Sequence, residues 1–110
     1  MNMLIDKYLD AIKADFAKFY ENVEDKEYAL ARIQEFNDGL DFIAGSKYLK
    51  VIKYKGSSRS VHSFICFKDN GKFKVGDILR AASWSAPAKN FARGNLFVGD
   101  FSNVRWTGVL

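Results

Sequence analysis

Two runs of residues decide the fold: Tyr48-Leu49-Lys50-Val51-Ile52-Lys53-Tyr54, and, after Gly56-Ser57-Ser58, Ser60-Val61-His62-Ser63-Phe64-Ile65-Cys66-Phe67-Lys68. Both are rich in β-branched and aromatic residues, and the first is too short for an independent helix. Two such runs around a small Gly/Ser turn predict a β-hairpin. Downstream, Asp69-Asn70-Gly71 tolerates the positive φ angles of a type I′ turn, so Phe73-Lys74-Val75 is expected to reverse against the second strand. Gly76 permits another sharp turn, at which Asp77 can accept hydrogen bonds from the next backbone amides. Residues 78–84 read as a further strand, with a short helix as the alternative. Residues 85–94 hold the only proline, Pro87, and read as a long loop with one helical turn around 88–93. Residues 96–98 and 104–107 are the last expected strands.

Upstream the period changes. Ile5, Tyr8, Leu9, Ile12, Phe16, Phe19 and Tyr20 recur at spacings of three and four, which puts them on one face of a helix over 3–20. A second helix is expected near 24–38, with Asn22 as its cap and Glu24, Asp25 and Glu27 at its positive end. Its apolar stripe is Ala29, Leu30, Ile33 and Phe36, and Gly39 is expected to take the left-handed conformation past its end. Helices followed by antiparallel strands define an α+β fold. The expected architecture is a helical hairpin, or one bent helix, packed on a four- to five-stranded antiparallel sheet that is either open or curled into a partial barrel. A chain of 110 residues suits one domain, with an acidic helical part over 1–45 and a basic β part over 46–110.

A single cysteine, Cys66, excludes an intramolecular disulfide and fits a reducing, cytoplasmic setting. Its apolar neighbours make it a small core residue rather than a reactive thiol. Asp6, Asp10 and Asp15 interrupt the apolar positions near the N-terminus, which argues against a signal peptide. No run approaches the roughly 18 apolar residues of a membrane span, so no membrane partner is expected.

Charge is segregated along the chain. Residues 1–46 carry five basic and ten acidic residues, a net of −5; residues 47–110 carry twelve basic and three acidic, a net of +9. Two structural readings account for this without a ligand: lysines guarding sheet edges, and an acidic helical layer compensating a basic sheet. The third reading is a polyanion partner. Aromatic residues interleave with the cations, and single-stranded nucleic acid is held by cations on its backbone and flat rings on its bases. The candidate nucleic-acid-binding residues are Lys50, Lys53, Arg59, Lys74, Lys89, Arg93 and Arg105 on phosphates, with Trp84 on a base. The expected function is a non-enzymatic binding module for single-stranded DNA or RNA, or for another polyanion. A second reading is a protein-interaction module, pairing acidic helices with the basic sheet of another copy, as a homo-oligomer, or with a host or phage protein.

Enzymatic activity is not expected, and neither a cofactor nor a metal is implied. The His, Cys and Asp residues of the β half are scattered rather than clustered as ligands. No Gly-rich phosphate loop or nucleophile elbow is present. His62 is the only histidine, and strict strand alternation would place it with Ser60, Phe64 and Cys66 on one face, as a packed residue. The run 93–101 faintly resembles the central motif of RNA-recognition folds, with its last phenylalanine one place late. It lacks the aromatic after the glycine, and both helices precede the strands, so the match is set aside.

The stretches Lys72-Phe-Lys-Val-Gly-Asp-Ile-Leu-Arg-Ala-Ala-Ser-Trp84, Ala86-Pro-Ala-Lys-Asn-Phe-Ala-Arg-Gly-Asn95 and Val104-Arg-Trp-Thr-Gly108 resemble small uncharacterised proteins encoded by tailed bacteriophages, over roughly the C-terminal 60 residues. The resemblance implies a viral origin and a bacterial cytoplasm as the setting. It carries no activity and no site residues.

Overall fold

The computed structural model describes residues 2–69 and 71–110. The element order is α1 (Asn2–Phe19), α2 (Lys26–Asp38), β1 (Leu40–Ala44), β2 (Tyr48–Lys55), β3 (Ser58–Cys66), β4 (Ile78–Arg80), β5 (Val104–Arg105) and β6 (Gly108–Val109). Strands β1 to β4 form one antiparallel sheet in sequence order, and β5–β6 a separate two-stranded ladder. The fold is α+β, and the sheet is open rather than closed into a barrel.

Helix α1 buries most of the expected stripe: Ile5, Tyr8, Leu9 and Ile12 meet Leu49 and Val51 of β2, Ile65 of β3 and Ile78 of β4, whereas Phe19, expected in it, is exposed. Leu96, Val104 and Val109 close the same core. Alternate residues of the sheet point the other way, where Phe64, Cys66 and Leu79 pack with Phe73 and Ala92 from the connecting segments. Both faces are thus covered, which is why β3 is buried without interruption from His62 to Cys66. Helix α2 is a lighter element: Ala29 is its one buried residue, and Leu30, expected in its stripe, is exposed.

Several local expectations are corrected. The cap of α2 is Asp25, not Asn22; its carboxylate accepts the Tyr28 amide at 3.0 Å. Gly39 sits at the end of α2 with φ −86°, a right-handed conformation. Glycine is needed there for proximity: a Cβ would lie 2.2 Å from the Tyr54 carbonyl oxygen, because Tyr54 donates its amide to the Gly39 carbonyl at 2.7 Å. Strand β1 was not anticipated. Residues 73–75 and 96–98 form no strands, β4 is only three residues long, and 88–93 contains no helix. The Asp69-Asn70-Gly71 turn includes Asn70, which lies outside the described residues. Asp77 accepts backward, from the Lys74 amide at 2.9 Å, and also from the Asn95 side chain at 2.9 Å.

The register of β2 against β3 shifts between Val51 and Ile52, which pair with Ser63 and Val61. His62 is the extra residue of this bulge, and a bulge breaks the strict alternation of a strand. His62 and Ser63 therefore both face α1, while Phe64 and Cys66 pack on the opposite face.

Candidate anion-binding surfaces

The sequence candidates do not form one surface. Lys50, Arg59 and Trp84 come together: the Lys50 ammonium and the Arg59 guanidinium lie 4.3 and 4.5 Å from the centre of the Trp84 ring. Lys50 also lies 5.9 Å from the Phe64 ring, with which it is paired in register, so this cluster sits on the sheet face away from α1. Trp84 reaches it from the bend that follows β4. Each cation–ring contact at an exposed site is worth about 0.5–1 kcal/mol.

Lys53 faces the other way, because its odd spacing from Lys50 reverses its side of the strand. Its ammonium donates to the Thr107 carbonyl at 3.3 Å and lies 5.8 Å from the Trp106 ring. Partial burial pushes its pKa down from the usual lysine value. Arg93 and Arg105 are tied into loops. Arg93 is buried, bonded to the Phe91 carbonyl and the Asn90 side chain; Arg105 donates to the Ser102 and Val104 carbonyls. Lys74 and Lys89 are exposed and join neither group.

Around Lys53 opens a cleft of about 360 Å³. Its walls come from the C-terminal ends of α1 and α2, the tip of the β2–β3 hairpin and the β5–β6 turn. Phe16 and Phe36 stack at 4.1 Å with an interplanar angle of 6°, and Trp106 meets both edge-on. The Trp106 amide donates to the Asp15 carboxylate at 2.8 Å, which anchors the turn on α1. Lys53, Lys55 and Arg59 line the cleft on the hairpin side. Its one carboxylate, Glu35, is engaged by Arg32 at 2.5 Å. Helical periodicity marks the aromatic helix residues of this cleft only as core; no spacing rule joins Phe16 to Trp106, 90 positions away.

Among the described residues, the Arg32–Glu35 pair on α2 is the one salt bridge. The acidic helices therefore do not compensate the basic half through ion pairs. Nor does any group of three or more His, Cys, Asp or Glu among those residues stand ready for a metal ion. No helix among them is long and apolar enough to cross a membrane.

His62 and Cys66 are both inaccessible. The His62 Nε2 donates to the Arg105 carbonyl at 2.6 Å, leaving Nδ1 to accept from the Ser63 hydroxyl at 2.8 Å, which in turn accepts from the Tyr8 phenol at 2.6 Å. Burial drives the His62 pKa down to about 4 and pushes the Tyr8 phenol well above its usual value. The Cys66 thiol, donating to the Lys68 carbonyl at 2.9 Å, is likewise raised by burial.

These features define a two-layer α+β protein with uncompensated basic surfaces and an aromatic cleft between its layers. The chain belongs to a family of unknown function, DUF7717, whose model matches residues 2–109. That match includes both helices and is not confined to the C-terminal 60 residues. No curated protein and no solved structure matches the chain.

Proposed function

We propose that this protein is a non-enzymatic binding module for single-stranded nucleic acid, acting in the bacterial cytoplasm as a phage-encoded protein. The observation that supports it is the pairing of Lys50 and Arg59 on one tryptophan ring, with neither cation matched to a carboxylate. Two cations held at a fixed separation on a flat ring suit successive phosphates of a strand. The ring is already occupied by them, so in this reading Trp84 positions the charges rather than stacking on a base. Lys74 and Lys89 add long-range attraction.

Labelled single-stranded DNA and RNA titrated at about 50 and 200 mM salt test the reading. Binding is expected at the lower salt and should weaken steeply at the higher. Lys50→Gln should reduce the slope of log affinity against log salt by about 0.7, the value for one lost phosphate contact on a single strand. Absence of binding at the lower salt would exclude the proposal.

A further inference from the structure

We infer that the cleft between the helices and the β2–β3 hairpin is a second site, adjoining the first at Arg59, built for a small flat aromatic ring that carries an anionic group. Its volume of about 360 Å³ falls within the range of small-molecule sites. One wall offers the stacked Phe16–Phe36 pair and the Trp106 indole. These rings are rigid apolar surface, and planar ligands stack on such surfaces with little conformational cost.

The charge on the hairpin side, beside the Trp106 ring, selects the second feature of the ligand. Lys53 is half-buried, spends one hydrogen bond on a neutral carbonyl, and has no carboxylate partner. A partly desolvated ammonium without a counter-charge is unfavourable on its own. It keeps two donors for an anion entering from the cleft. Lys55 and Arg59 add positive charge on the same side, while the only carboxylate in the lining is already engaged by Arg32. A neutral ring would gain the aromatic wall alone; an aromatic anion gains both.

That chemistry has two sources, a free aromatic acid and a nucleotide. Arg59 borders both sites, but this one does not depend on the strand-binding reading, because it is defined by Lys53 and the aromatic wall, and Lys50 and Trp84 lie outside it. The protein has two tryptophans, so Trp84→Phe leaves Trp106 as the sole reporter. In that variant, 2-naphthoate, its neutral isostere 2-naphthamide and adenosine 5′-monophosphate are titrated against Trp106 emission and the Trp106 indole NMR signal. At least one anion should saturate the signal with one-to-one stoichiometry. For naphthoate, the affinity should exceed that of naphthamide by about tenfold, the equivalent of one charge-assisted hydrogen bond. Preference for naphthoate identifies a free aromatic acid as the ligand type; preference for the monophosphate identifies a nucleotide. Lys53→Met, which keeps the aliphatic stem, should remove the advantage of the anion and leave naphthamide binding unchanged, whereas Lys50→Gln should change neither. Equal binding of naphthoate and naphthamide, or no response of Trp106 to either anion at about 5 mM, a concentration above the weak millimolar range, would overturn the inference. The naphthoate–naphthamide comparison needs no substitution at Lys53, so it decides the matter even if Lys53→Met does not fold.

Discussion

At His62 a single residue makes stability depend on pH. It is 1% exposed and sits in a chain of hydrogen bonds from Tyr8 through Ser63 to the Arg105 carbonyl. Every donor in that chain, and both imidazole nitrogens, are used when the imidazole is neutral, with its proton on Nε2. A second proton would need an acceptor where Nδ1 now accepts, and would put a charge in the core. The unfolded chain protonates this histidine near pH 6.5, whereas the folded protein resists until about pH 4. Between those values the unfolded state binds more protons, so stability should be complete above pH 6.5 and fall as the pH drops towards 4. The loss should reach about 3 kcal/mol. Denaturant titrations at several pH values should show this fall in the wild type, and His62→Gln should flatten it above the carboxylate range. A wild-type stability that does not change from pH 7 to 5 would contradict the assignment.

Among the elements, α2 joins the sheet through a close backbone approach at its end. Helix α2 buries little of its own surface, so its position depends on its ends. Asp25 caps its start, and Gly39 lets the backbone meet β2 at its finish. Gly39→Ala would place a methyl group against the Tyr54 carbonyl at 2.2 Å, where neither backbone can yield without breaking the Tyr54–Gly39 hydrogen bond. The expected cost is about 1–3 kcal/mol, the usual scale for overpacking. Because the φ of Gly39 is negative, an alanine there meets a clash but no left-handed strain. Thermal or urea unfolding of Gly39→Ala measures it, and a variant as stable as wild type would show that α2 docks more loosely than this contact requires.

At the scale of the molecule, one core joins α1, all four strands of the main sheet and both strands of the small ladder. The helical and β parts share that core although their charges differ in sign. They should therefore unfold together. Far-UV circular dichroism, dominated by the helices, and tryptophan emission, from Trp84 on one sheet face and Trp106 in the cleft, should give coincident transitions. Separate midpoints would mean that the acidic and basic parts are distinct folding units. The same layering leaves the cations of the β half without ion-pair partners among the described residues, which is the condition for the two anion sites proposed.

Much of this was legible in the sequence because it is local. The period of α1, the turn chemistry between β2 and β3, and the segregation of charge each depend on residues within a few positions of one another. Periodicity, however, reports which residues seek burial, not what they bury against. Strand β1 was missed because its five residues gain strand character only by pairing with β2. The expected strands at 73–75 and 96–98 failed because side chains satisfy their backbone groups instead. Asp77 holds the Lys74 amide, Asp69 the Val75 amide and Asn95 the Phe97 amide. The bulge that turns His62 towards Tyr8, and the cleft that brings Phe16 and Trp106 together, are contacts between distant segments. Only the packing of the helices on the sheet decided them, because no rule of spacing extends across so many positions.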